Sequence, residues 1–242
     1  MERIPIMSRR KNTTRQMKNT TFSKLVPETI IKAKTLGQAA YIKAILDNDV
    51  VICTGPAGTG KSAVAVGMAA YHLCKGDYDK IIMTRPIVSA GVRKLGALPG
   101  GINDKVMPYL VPVLEELKHF LGEDLFYKFS RDNKIIAEPL ELMRGRNFHN
   151  SIMILDEAQN CEYQDIVMFV TRMGDGTKVC INGDTDQCDL NYSDYSPLDD
   201  IVKRVSNLEG FGTVNLTEDD IVRNPLIKGF LKVTAHNKRT NK

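Results

Sequence analysis

An α/β domain built on a mostly parallel sheet, with helices on its flanks and a helical insertion after the second strand, is the fold this sequence predicts. Three observations predict it. Short apolar runs recur along the 242 residues with helix-like segments between them, the alternation that builds parallel sheets. Several of these runs are apolar throughout, as strands covered on both faces must be. Finally, residues 55–62 read Gly55-Pro56-Ala57-Gly58-Thr59-Gly60-Lys61-Ser62 between one such run and a helix-like one. That is the strand, glycine loop and helix context that a phosphate-binding P-loop requires.

The elements follow in order. A helix is expected over Gly37–Leu46, then the wholly apolar strand Val50–Thr54. Beyond the glycine loop, Ala63-Val64-Ala65-Val66-Gly67-Met68-Ala69-Ala70 belongs to a helix over Ser62–Cys74, followed by a strand over Lys80–Thr84. Residues 85–133 depart from simple alternation. They hold a Gly/Pro-rich segment, Gly91 to Gly101, and then a helix over Asp104–Leu121. This reads as an insertion projecting from the sheet, a common carrier of substrate specificity on α/β scaffolds. Alternation resumes with strands over Lys134–Glu138, Ile152–Asp156, Lys178–Asn182 and Thr213–Leu216, and helices over Tyr163–Arg172 and Leu198–Val205.

Composition sets the broad class. Hydrophobic content of 43% and charged content of 26% are ordinary for a globular protein. No apolar run approaches a membrane span, and the basic N-terminus lacks the apolar stretch of a secretory leader. The five cysteines (Cys53, Cys74, Cys161, Cys180, Cys188) form no CxxC pair, which fits a reduced, cytoplasmic protein. Cys53 and Cys180 read as small buried hydrophobes. The net charge of +4 is uneven: residues 21–227 hold 22 basic and 28 acidic side chains, a net −6. The positive charge sits in the tails, with Arg3, Arg9, Arg10, Lys11, Arg15 and Lys18 at one end and Lys228, Lys232, Lys238, Arg239 and Lys242 at the other. Basic tails suit nucleic-acid phosphates; a solvated end rich in Asn and Thr is the alternative.

The chemistry of a nucleoside triphosphate site is spread over three strand ends. In residues 55–62 the glycines let backbone N–H groups turn inward around phosphate oxygens, and the helix N-terminus adds positive potential. Lys61 reaches the β- and γ-phosphates and the Ser62 hydroxyl holds Mg²⁺. The strand ending Ile154-Leu155-Asp156-Glu157 supplies two acids. Asp156 fits the second Mg²⁺ contact, and Glu157 fits the base that orients an attacking water. Successive strand residues point to opposite sides, so the two acids must bend apart to serve both roles. An acid in that position favours hydrolysis over phosphotransfer. After the strand Lys178–Asn182, Gln187 is the candidate γ-phosphate sensor, with Asn182 behind it.

Together these residues resemble the PhoH-like family of P-loop ATPases. The resemblance runs through GPAGTGKS (55–62), Thr84-Arg85-Pro86, LGALPGG (95–101), PLELMRGR (139–146), ILDEAQN (154–160), TRMGDGTK (171–178), GDTDQCDL (183–190) and EDDIVRNPLI (218–227), and covers roughly residues 24–235. It implies a RecA-like core similar to one motor domain of superfamily-one helicases. It divides the chain into a basic flexible tail over 1–23, the ATPase domain over 24–235 and a basic tail over 236–242. By the same resemblance Gln38 looks like the glutamine that reads adenine, since a side-chain amide can pair with N6 and N7. Arg223 looks like an arginine that stabilises charge on the transferring phosphoryl group. Superfamily-one helicases bind ATP between two RecA-like domains, and this length accommodates one. A neighbouring subunit is therefore expected to supply the second wall, in a homo-oligomeric ring that the resemblance makes a hexamer. The chain departs from the family at Val88-Ser89-Ala90-Gly91-Val92-Arg93, where the usual pattern carries glutamates.

Arg144 and Arg146 flank Gly145 and are candidates for nucleic-acid phosphate or a neighbouring subunit; a structural ion pair is the alternative. Arg85, Arg93 and Lys94 are candidates for a strand-facing surface. The four histidines show no metal-ligand spacing with cysteines, no GxSxG elbow is present, and there is no room for a nuclease domain. The expectation is therefore a Mg²⁺-dependent, helicase-like ATPase acting on single-stranded RNA or DNA. Its alternatives are an ATP-dependent switch or adaptor for a protein partner, and small-molecule phosphotransfer.

Overall fold

Strands without a polar face need cover on both sides, and the computed structural model gives it in an α/β/α sandwich. The structure describes residues 31–86, 102–184, 187 and 196–222, with the backbone alone at 102–106. Helix α1 (Leu36–Asp47) precedes β1 (Val50–Thr54), α2 (Lys61–Lys75) and β2 (Lys80–Thr84). Then come α3 (Ile102–Leu121), α4 (Glu123–Arg131), β3 (Ile135–Ala137), β4 (Ser151–Leu155) and α5 (Tyr163–Val170). The last elements are β5 (Lys178–Gly183), α6 (Pro197–Val205) and β6 (Phe211–Asn215).

The sheet order is β3-β2-β4-β5-β1-β6, and every pairing is parallel. β1, β4 and β5 are buried along their whole length. The register aligns the strand ends: Thr84 lies beside Leu155, Leu155 beside Ile181, and Thr54 beside Gly183. The residues just beyond these ends (Arg85, Asp156, Asp184 and Gly55) therefore meet along one edge of the sheet. That carboxyl edge is where open parallel sheets bind ligands.

Two apolar layers flank the sheet. One joins Tyr41, Val64, Met68, Leu73, Val113, Leu117 and Phe129 to the inward residues of the strands, and the other joins Leu140, Met143, Ile166, Phe169, Leu198 and Ile201. The first layer takes in the described helices of the stretch 85–133 expected to project from the sheet. Val113, Leu117 and Leu121 recur four residues apart and are buried, so this face of α3 packs into the core. In α4, which the sequence reading missed, Phe129 is buried. Residues 87–101, with the Gly/Pro-rich segment, lie outside the described residues.

One polar bond crosses the first layer. The Tyr41 hydroxyl donates to Asn182 Oδ1 at 2.6 Å, and both residues are fully buried. Burial pushes the Tyr41 hydroxyl well above the ordinary tyrosine range, and Cys180 beside it adds to the effect. Tyr41→Phe leaves the Asn182 carbonyl without this donor, at a cost of about 1–3 kcal/mol. Urea unfolding is expected to show a lower midpoint with an unchanged slope; an unchanged midpoint would show the bond to be energetically neutral.

Candidate nucleotide site

The loop between β1 and α2 is fixed from several sides. Gly60 precedes α2 in the left-handed region, and a Cβ there would lie 2.7 Å from Gln38 Nε2. At Gly55 a Cβ would meet the Leu216 carbonyl oxygen at 2.4 Å. Only glycine meets both demands, positive φ and close approach. Thr59 Oγ1 donates to the Pro56 carbonyl at 2.9 Å, and Val222 N–H donates to the Gly58 carbonyl at 3.0 Å. Lys61 Nζ folds back onto the carbonyls of Gly55 and Pro56, at 2.6 and 2.9 Å. Burial pulls its ammonium below the ordinary lysine range, opposed chiefly by the Asp184 carboxylate. A lysine held by two neutral carbonyls and partly desolvated is poised to take an anionic partner.

Across the cleft, β4 delivers Asp156. Ser62 Oγ donates to Asp156 Oδ1 at 2.7 Å. The Arg85 guanidinium donates to Oδ2 through Nε at 3.0 Å and through Nη2. Both carboxylate oxygens of this buried aspartate are thus engaged. The next residue, Glu157, has φ 59° and ψ 37°, a left-handed conformation uncommon for a residue with a long side chain. This is the bend that lets the two acids leave one strand in different directions. Gln159 Nε2 donates to Glu157 Oε2 at 2.6 Å, and Gln159 Oε1 accepts from the Asp184 backbone N–H at 2.9 Å. One buried amide therefore links the ends of β4 and β5 and holds the glutamate.

These groups line one cleft of about 420 Å³, which includes Lys61, Ser62, Arg85, Glu116, Asp156, Glu157, Asn182, Asp184 and Gln187. A second cleft of about 570 Å³ adjoins the same loop and is lined by Ile31, Lys34, Gln38, Glu116, Phe120 and Val222, among others.

Lys61, Ser62, Asp156, Glu157 and Gln187, predicted together, come together. Asn182 stands beneath them with its Nδ2 buried and without a hydrogen-bond partner. Gln38 lies in the second cleft, where its Nε2 donates to the Thr59 carbonyl and its Oε1 accepts from Lys34 N–H, each at 2.8 Å. Arg85 differs from expectation: it turns into the cleft toward Asp156 rather than onto a strand-facing surface, because the buried carboxylate draws it in. Arg146 pairs with Glu138 and stacks over Phe148, its guanidinium 4.9 Å from the ring centroid; Arg144 is exposed. Arg93, Lys94 and Arg223 lie outside the described residues. Sequence reasoning missed Gln159 and Glu116. The first was visible two positions after Glu157 within the quoted ILDEAQN, whereas nothing local marks the second.

A parallel sheet carrying a glycine loop, its lysine and serine, and a strand-end Asp-Glu pair defines a P-loop NTPase domain with a RecA-like fold. The family model for PhoH-like protein matches residues 30–235, and the chain belongs to that family. A PhoH-like protein of Synechocystis is 37% identical over 225 residues, covering 93% of this chain and 68% of the relative. One from Bacillus subtilis is 42% identical over 197 residues, covering 81% of this chain and 61% of the relative. The chain thus spans about two thirds of the length of these relatives, or less. Among solved structures, the large terminase of a thermophilic bacteriophage superposes with a TM-score of 0.51 at 13% identity, over 82% of this chain and 50% of that one. That likeness is one of fold.

Proposed function

We propose that this chain is a Mg²⁺-dependent ATPase whose hydrolysis is coupled to single-stranded RNA or DNA, working as a homo-oligomeric ring. The observation that carries the hydrolytic part is the convergence of Lys61, Ser62, Asp156 and Glu157 on one cleft. Lys61 neutralises the terminal phosphates, and the turned-in amides of the loop hold them. Ser62 Oγ and Asp156 Oδ1, 2.7 Å apart, are hard oxygen donors that suit Mg²⁺. The pair suits an ion that takes few protein ligands beside phosphates and waters. An ion held there would supply neutralisation of phosphate charge. Glu157, held by Gln159, accepts the proton of the attacking water. Gln187 and Asn182 offer amides at the γ-phosphate end. In this reading Gln38 recognises adenine by exchanging a backbone contact for the base. Arg223 acts across a subunit boundary, the ring being a hexamer on family grounds.

Support for a nucleic-acid substrate comes from the basic tails and from the exposed Arg144. The test is steady-state ATPase of the purified protein with and without single-stranded RNA and DNA. Stimulation by one polymer that falls steeply with salt is the expected result. Hydrolysis unchanged by either polymer would overturn the motor and favour an ATP-dependent switch for a protein partner.

A further inference from the structure

We propose that Glu116 reads the ribose of the bound nucleotide, its side chain accepting hydrogen bonds from the sugar hydroxyls. This rests on the nucleotide reading above and assigns a residue to the part of the ligand that the motifs leave unread.

The two clefts beside the loop differ in chemistry. One carries Lys61, Ser62, Arg85 and Asp156, the equipment for phosphates and their cation. The other sets the Gln38 amide among the apolar side chains Ile31, Val64, Phe120 and Val222, with Lys32, Lys34 and His119 also on its wall, a mixed setting that can take a base on its apolar part. Four residues line both: Gly58, Gly60, Ala63 and Glu116. A nucleotide with its phosphates in the first cleft and its base in the second must pass its sugar through this junction. The loop side of the junction offers two glycines and an alanine methyl. Among the described residues, the only shared side chain able to form a hydrogen bond is Glu116.

The chemistry of Glu116 fits hydroxyl donors better than any other part of the ligand. Val113 and Leu117 anchor this stretch of α3 in the core, which leaves Glu116 half-buried at the cleft wall. Burial, with the Asp156 charge adding, pushes its carboxyl up to about 7, and Arg85 offsets part of the rise. Arg85 itself is committed to Asp156, and no hydrogen bond or ion pair engages Glu116 among the described residues. A carboxylate lacking donors gains from any ligand that brings them. Phosphate oxygens bring none and repel its ionised form; in the nucleotide reading above adenine meets Gln38 in the other cleft. The sugar hydroxyls are the remaining donors.

The test is equilibrium binding of ATP, 2′-deoxyATP and 3′-deoxyATP with Mg²⁺ to the full chain. The parent is expected to bind ATP about tenfold more tightly than the analogue lacking the contacted hydroxyl, as a hydrogen bond to a charged group implies. Glu116→Ala should bring that ratio close to one, by weakening ATP while leaving the deoxy analogue little changed. Glu116→Gln keeps a neutral acceptor and should give an intermediate ratio, which also decides the matter if the alanine variant folds poorly. A purely structural role would weaken all three nucleotides together. A parent that binds all three equally, or a ratio that survives both substitutions, would overturn the inference. Lys61→Ala is expected to weaken every nucleotide with the ratio preserved. A parent that binds none of them would remove the nucleotide reading itself and the ribose contact with it.

Discussion

Glu157→Gln is expected to lower ATP turnover by about 10²–10⁴-fold, the usual contribution of a positioned general base, while nucleotide affinity changes little. The separation follows from what the residue touches. Its carboxylate meets Gln159 Nε2 and faces the cleft, whereas the loop carbonyls, Lys61 and Ser62 are held by other bonds. A glutamine keeps an oxygen that can accept from Gln159, so the side chain stays in place and loses only its capacity to take a proton. The left-handed backbone at this position is set by the chain on either side and should persist. Single-turnover hydrolysis alongside equilibrium ATP binding checks both halves. A variant retaining more than about a tenth of parent turnover would remove Glu157 from the base role, since loss of a general base rarely costs so little.

Much of this site is legible in the sequence because its parts are local. A P-loop is a backbone shape, and the residues that permit the shape, Gly55, Gly58 and Gly60, are contiguous with the groups that use it. The Asp-Glu pair is read just as directly, since a buried strand that ends in two acids has to place them somewhere polar. Strand register then does the assembly: the parallel ladder sets Thr84 beside Leu155, Leu155 beside Ile181 and Thr54 beside Gly183, so whatever follows each strand arrives at one edge. Arg85 illustrates what motif spacing leaves out. Its position beside the Gly/Pro-rich segment suggested an outer surface, yet the strongest local field is the buried Asp156 on the neighbouring strand, and the guanidinium follows it. Glu116 lies further still from any local signal. Its place at the junction of two clefts depends on how α3 lies against α2, and that packing comes from Val113, Leu117 and Leu121, which say nothing about the polar residue between them. The same packing is why α3 lies on the core: an apolar stripe at four-residue spacing needs a partner, and α2 supplies it.

Asp156→Ala is expected to abolish hydrolysis and also to destabilise the fold, and the two effects should be separable. Asp156 is the acceptor for both Ser62 and Arg85. The carboxylate side chain is 3% exposed and the Arg85 side chain 20% exposed. Removing one member of a buried ion pair costs about 3–5 kcal/mol, because the survivor remains desolvated and uncompensated. The partial exposure of Arg85 lets water take some of that load, so the lower part of this range, about 3 kcal/mol, is the expected loss. Replacing both members with groups that carry no charge, as in the double variant Asp156→Asn with Arg85→Met, should recover most of the stability, since buried pairs are often no better than apolar substitutes of similar volume. Hydrolysis should stay lost in the double variant, because nothing then holds the cation opposite Ser62. Denaturant unfolding and ATPase turnover on the three proteins make the comparison. If the double variant is as unstable as Asp156→Ala, the ion pair is not the source of the cost and the loss lies in packing at the end of β4. If it regains hydrolysis, Asp156 is not the cation contact. Recovery of stability without activity would mean that the buried pair is retained for chemistry, with Arg85 holding the charge of Asp156 in place until a cation competes for it.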